Sequence, residues 1–120
     1  MNSSSSEKGH EGEDLACDYL VKKGLKIIER NYRYGKTGEI DIVAKDNGTL
    51  VFIEVKYRKN LEFGEPEYGI TKNKINQYRK LANVYLFDKN IEETDCRFDV
   101  VAILELEKGR PKINYYRDAF

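Results

Sequence analysis

A chain of 120 residues with 21 basic and 21 acidic side chains carries no net charge, so attraction of the whole molecule to a polyanion is excluded as the basis of partner choice. Its 40% hydrophobic and 35% charged content suits one globular domain, and no run is long and apolar enough to span a membrane as a helix. Two distant cysteines and the lone His10 argue against a familiar zinc site or a histidine-activated nucleophile; with no apolar signal core near Asn2 to Ser6, the expectation is a cytoplasmic protein with Cys17 and Cys96 as buried free thiols.

Residues 1–8, rich in serine, are expected to form a disordered tail, with residues 9–120 as a single domain. From about Gly9 to Lys23 the set Leu15, Ala16, Tyr19 and Leu20 recurs at helical spacing, and Gly24 is a natural stop. Glu13 falls at the edge of that apolar stripe. It also favours the helix N-terminus electrostatically, which is role enough for it on the residues alone.

Leu25 to Tyr34 reads as a strand, followed by a turn over Gly35 to Gly38. Basic residues gather locally: Lys22, Lys23, Lys26, Arg30, Arg33 and Lys36 face only Glu29 in their stretch, and Lys56–Lys59 and Lys72–Lys80 are basic too. A neutral total can therefore hide a basic face, although an ordinary mixed surface also fits. Arg33, Tyr34 and Lys36 stand just ahead of an acidic strand, where they could hold a sugar-phosphate backbone and stack on a base. A tyrosine in a strand is, however, more commonly a packing residue.

Gly38 to Arg58 organises the chain. Two alternating β-branched runs, Glu39 to Lys45 and Thr49 to Tyr57, flank Asn47-Gly48, which predicts a hairpin with a two-residue type I′ turn. The register pairs Val43 with Phe52, Asp41 with Glu54 and Glu39 with Lys56, so all four charged residues share a face. Carboxylates set opposite one another repel, and a divalent cation such as Mg²⁺ or Mn²⁺ between them is the simplest remedy. Lys56 would stand beside that ion, able to orient or deprotonate water or to meet a phosphate oxygen. The plainer alternative is a solvated face with a Glu39–Lys56 ion pair of little energetic weight. Leu50 to Val55 is apolar on both faces, however, which predicts a central strand.

The loop from Lys59 to Ile70, with Gly64, Pro66 and Gly69, has the character of a segment that contacts substrate or a second subunit, so a homodimer is one expectation. Thr71 should cap a helix running to about Asp88, with Ile75, Tyr78, Leu81, Ala82 and Tyr85 buried and Lys72, Lys74, Gln77 and Lys80 along its first turns. Cys96 to Glu105 reads as a strand inside the sheet, Asp99 a core-edge residue paired with Arg97 or another base and given no catalytic role. Lys112 to Arg117 is a closing strand or edge segment.

Asp41 followed by Glu54-Val55-Lys56 resembles the Asp…Glu-x-Lys core of the PD-(D/E)xK nuclease superfamily, which includes restriction endonucleases and archaeal Holliday-junction resolvases. With Gly12-Glu13-Asp14-Leu15-Ala16, Asn31-Tyr32-Arg33, Gly38-Glu39-Ile40-Asp41, Val51 to Arg58, Arg97-Phe98-Asp99-Val100-Val101 and Ala119-Phe120, the chain resembles the YraN family of endonuclease-like proteins from about Lys8 to Phe120. The resemblance implies an α/β fold, a mixed sheet flanked by helices like the restriction-endonuclease core. It implies Mg²⁺ or Mn²⁺ held by Asp41, Glu54, the Val55 carbonyl and Glu13, with Lys56 catalytic. Gln77 and Lys74 are supporting candidates near the metal, and Glu39 would align Lys56 or extend the metal shell.

The expected function is metal-dependent hydrolysis of a nucleic-acid phosphodiester, DNA ahead of RNA and branched DNA among the substrates. Asp41, Glu54 and Lys56 are the catalytic set, and Arg33, Tyr34, Lys36, Arg58 and Lys72 the nucleic-acid contacts. The alternative is a nucleic-acid-binding or protein-interaction module that keeps the fold without turnover.

Overall fold

Asn47 at the hairpin tip takes left-handed backbone, φ 56°, while Gly48 does not. The bend therefore differs from the expected type I′, which needs both residues at positive φ; the order of signs is that of a type II′ turn, whose twist serves a hairpin equally well. From that tip the register runs as expected through Asp46↔Thr49, Val43↔Phe52 and Ile42↔Ile53.

A computed structural model describes the backbone of residues 4–120 and the side chains of residues 10–120. The elements are α1 (Ser4–Lys22), β1 (Lys26–Arg33), β2 (Glu39–Asp46), β3 (Thr49–Arg58), a 3₁₀ turn at Pro66–Gly69, α2 (Lys72–Asp88), β4 (Asp95–Leu104) and β5 (Lys112–Tyr116). Helix α1 begins ahead of the expected Gly9, taking in residues 4–8 of the predicted tail; residues 1–3 lie outside the described residues.

The five strands lie in the order β1-β2-β3-β4-β5. Neighbours are antiparallel except β3 and β4, which run parallel from Thr49↔Asp95 to Arg58↔Leu104. A parallel pair needs a crossover, and α2 supplies it. The result is the expected mixed sheet with helices on both faces, an α/β arrangement consistent with a restriction-endonuclease-like core. Ala16 and Leu20 of α1 pack on Ile42, Ala44, Val51, Ile53, Val101 and Ile103. Tyr78, Leu81, Ala82 and Tyr85 of α2 pack on Ile40, Val43, Leu50 and Phe52 across the sheet. β3 contributes to both clusters, as its continuous apolar run requires.

Thr71 caps α2, its hydroxyl accepting from the Lys74 N–H at 3.2 Å. Asp99 is fully buried and pairs with Arg97 at 3.1 Å, as expected. Its carboxylate also accepts the Asp118 N–H at 2.8 Å, which folds the C-terminal residues back so that Phe120 stacks on Phe98. Cys96 departs from the expectation: it is exposed, because β4 enters the core only later along its length, whereas Cys17 is half-buried. Among the described residues no helix is long and apolar enough to cross a membrane.

One irregularity governs the site. Ile40 packs with the α2 cluster and Ile42 with the α1 cluster, although residues two apart in a strand share a face. On β1 the pairs Arg30↔Ile42 and Tyr32↔Ile40 bracket Asn31, whose backbone is left-handed at φ 57°. The sheet is kinked there, and Asp41 lies at the kink.

Candidate metal centre

The β2–β3 ladder ends at Ile42↔Ile53. The expected pairs Asp41↔Glu54 and Glu39↔Lys56 do not form, because β2 leaves β3 at this point and stays with β1, where Glu39 pairs with Arg33. Two side chains fill the fork. The Asp41 carboxylate accepts the Val55 N–H at 2.8 Å. The Tyr78 hydroxyl, from α2, accepts the Asp41 N–H at 3.0 Å and donates to the Ile53 carbonyl at 3.3 Å. Backbone groups that a regular ladder would pair are thus satisfied while the strands part. The N–H and C=O of one strand residue point to the same edge, so the Val55 carbonyl faces the fork too.

Asp41 and Glu54 still meet. Burial, and the charge of the neighbouring Glu54 carboxylate, push Asp41 up to about 8. Glu54 is only 2% exposed. Its Oε2 takes Lys56 Nζ at 3.3 Å and Lys74 Nζ at 3.6 Å, while its Oε1 has no hydrogen-bond partner among the described residues. Lys56 is seated by a close approach: a Cβ at Gly69 would stand 2.9 Å from its Cε. Lys74, expected only as a supporting residue, touches the acid directly.

Two more carboxylates converge from the α1 side. Oxygens of Glu13, Glu39 and Asp41 lie within 4.8 Å of one another. Burial raises Glu13, against the opposing influence of Asn31 and Arg30; Arg30 Nη2 stands 3.5 Å from it. Glu13 reaches the cluster because α1 rests against β3 at Gly12, where a Cβ would meet Tyr57 Cβ at 2.7 Å. The Tyr57 hydroxyl locks this contact by bridging Glu11 and Glu105. Glu39 neither aligns nor touches Lys56 as expected; it holds Arg33 at 3.0 Å.

These donors fit a hard divalent cation: they are carboxylate and carbonyl oxygens, like charges crowd together, and one buried oxygen lacks a partner. Glu13, Glu39 and Asp41 are the carboxylates already placed together for it; Glu54, expected as a ligand, lies outside that group with its Oε2 on Lys56 and Lys74, and it and the Val55 carbonyl would have to turn to the ion to join them.

The other predicted residues divide. Arg58 lines the same cleft, a cavity of about 520 Å³ that also contains Glu13, Asp41, Lys56 and Phe63. Gln77 does not reach the acids: its amide donates to the Thr37 carbonyl at 2.5 Å and pins the turn before β2. Tyr34 lies in a separate groove with Val84 and Phe87, on the α2 side of the kinked strand. Lys36 and Lys72 are exposed. Sequence reasoning missed Tyr78 and Asn31 as site builders. Tyr78 sits on the apolar stripe of its helix and reads as core, and only the kink shows what Asn31 does.

Residues 12–103 match the model of "Uncharacterised protein family UPF0102". The chain is similar to a UPF0102 protein of Chlorobium phaeobacteroides, 42% identical over 125 residues, covering 100% of this chain and 98% of that protein. One from Natranaerobius thermophilus is 42% identical over 121 residues and covered in full on both sides. A third, from Clostridioides difficile, is 42% identical over 116 residues, covering 97% of this chain and 98% of the relative.

Proposed function

The chain belongs to UPF0102, an uncharacterised protein family, and within that family we propose that it is a Mg²⁺- or Mn²⁺-dependent nuclease of the PD-(D/E)xK type, hydrolysing DNA phosphodiester bonds. One observation carries the reading. Two acids 13 positions apart in sequence, Asp41 and Glu54, come together where the strands part, and one buried Glu54 oxygen is unpartnered. A divalent cation is one group that relieves such crowding, and the oxygen donors gathered here suit one.

Asp41 and Glu54 would hold the cation, with the Val55 carbonyl and Glu13 as further oxygen donors. A bound Mg²⁺ or Mn²⁺ supplies a more acidic water and neutralises charge on the phosphate. Lys56, seated beside Glu54, presents an ammonium toward the cleft, where it orients the attacking water or meets a phosphoryl oxygen as negative charge builds. Tyr78 keeps the strands apart and Asp41 aimed inward. Arg33 is committed to Glu39, which leaves Arg58 as the basic side chain at the cleft for backbone phosphate.

The test is a cleavage screen over single-stranded, duplex, flapped and four-way DNA with Mg²⁺ and with Mn²⁺, using wild type, Asp41→Ala and Glu54→Ala. Metal-dependent product from wild type alone supports the proposal; equal product from all three defeats it. A second reading, a nucleic-acid- or protein-binding module without turnover, is favoured by the pairing of Glu54 with both Lys56 and Lys74. It expects no product on any substrate.

A further inference from the structure

The loop between β3 and α2 leaves three large apolar side chains in solvent: Leu61, Phe63 and Tyr68 are 48%, 71% and 75% exposed. Phe63 is the one that lines the cleft holding Glu13, Asp41 and Lys56. It is presented by a defined turn, the Gly64 N–H donating to the Leu61 carbonyl at 3.0 Å and the Glu62 N–H to Asn60 Oδ1 at 2.9 Å. Arg58 lines the same cleft. Among the described residues it makes no ion pair, and its buried Nε has no hydrogen-bond partner. The other basic side chains nearby are engaged, Lys56 with Glu54 and Lys59 with Glu11.

An uncovered phenyl ring gains nothing for the fold where it stands, yet it offers a π-face to a flat ligand. A guanidinium on the same cleft, in no ion pair among the described residues, matches a phosphate oxygen pair. Ring and guanidinium on one cleft match the two chemically distinct halves of a nucleotide, its base and its phosphate. In a duplex the base faces are already stacked on one another, so the ring can take only a base released from its partner.

Resting on the nuclease reading of this cleft, we infer that Phe63 and Arg58 form a base-and-phosphate clamp selecting a strand whose nucleotide beside the scissile phosphate is unpaired. The substrate class is nucleic acid with a single-stranded segment at the site.

The experiment measures binding without metal, by fluorescence anisotropy, of one labelled oligonucleotide presented single-stranded or as a duplex, at several salt concentrations. Wild type should prefer the single strand. Phe63→Ala should weaken single-strand binding about five- to 150-fold, the range of one base–aromatic stack, with duplex binding within about twofold and an unchanged melting temperature. Phe63→Trp should restore it, and quenching of a 2-aminopurine base should follow the same order. Arg58→Ala should weaken both forms and lower the salt slope by about one ion. Equal single-strand binding by wild type and Phe63→Ala overturns the clamp. So does a self-association seen by sedimentation that Phe63→Ala abolishes while DNA binding stays the same, which would make the loop a contact between copies. Cleavage of the same oligonucleotides with Mn²⁺ separates the two ideas. Selective binding lost in Phe63→Ala without any cleavage keeps the clamp and removes the nuclease; cleavage indifferent to Phe63→Ala does the reverse.

Discussion

The carboxylate of Asp41 accepts the backbone N–H of Val55 at 2.8 Å, taking the place that a β2 carbonyl would hold had the ladder continued past Ile42↔Ile53. A side chain thereby replaces a strand. It also fixes an acid in a dry place beside another acid.

The metal-free protein should lose stability as pH rises. Burial and Glu54 lift Asp41 from an ordinary value of 3.8 to about 8. Below the lower value both folded and unfolded chains hold the proton. Between the two, only the folded chain holds it, so stability falls with pH and is lowest above the upper value. Asp41→Asn keeps an acceptor for Val55 and cannot ionise. It should flatten the slope and raise the midpoint above pH 8 by several degrees, as about 1–2 kcal/mol does in a domain of this size. Thermal melts with chelator from pH 5 to 9 decide this.

Mn²⁺ should reverse that penalty. A ligand at about 100 times its Kd adds about 2.7 kcal/mol to the folded state, so wild type should melt measurably higher with the ion. The rise should vanish in Asp41→Ala and Glu54→Ala and shrink in Glu13→Gln. Calorimetric titration of the same variants measures the lost binding heat directly.

Lys56→Met tests charge at the cleft separately from metal binding. On a substrate that wild type cleaves, kcat should fall about 10²–10³-fold, the usual cost of removing one preorganised donor. The Mn²⁺-induced melting shift should persist. If the shift disappears as well, Lys56 supports the metal shell and not the reacting phosphate.

Tyr78→Phe removes the oxygen that accepts the Asp41 N–H, leaving that donor without its acceptor, and takes one donor from the Ile53 carbonyl. The expected cost is about 1–3 kcal/mol. Hydrogen exchange should quicken at Asp41 and Val55, and Mn²⁺ affinity should drop. A neutral effect on all three would mean the hydroxyl is not what holds the fork open.

Gly12→Val places carbon where Tyr57 already is, Cβ to Cβ at 2.7 Å. Helix α1 has to back away, at about 1–3 kcal/mol for overpacking, and Glu13 leaves the cluster with it. Mn²⁺ affinity in this variant should therefore fall to that of Glu13→Gln.

Much of this was readable from residue order. Asn47-Gly48 placed the bend and five correct pairs beyond it, and the unbroken apolar run of Leu50 to Val55 announced a strand covered on both sides. Those signals are local. The fork was not, because it depends on a hydroxyl from α2, far along the chain, and on a left-handed Asn31 in a strand that looked regular. A constant-sum register extrapolated through the kink put Glu39 opposite Lys56, where the structure has Arg33. Asp41 and Glu54 nonetheless meet, across a gap instead of a ladder rung. Phe63 gave no signal at all: a lone aromatic in an aperiodic loop looks the same whether it packs or projects.

Glu54 already has two ammonium groups for company. On the nuclease reading, admission of a divalent ion would be a swap of counter-ions, the 2+ charge taking the place that Lys56 and Lys74 share at Glu54. The added 2+ would let the cleft draw a polyanion more strongly than the metal-free protein does. A chain of zero overall charge would thus gain attraction for a polyanion at a single spot, and gain most once the ion is seated.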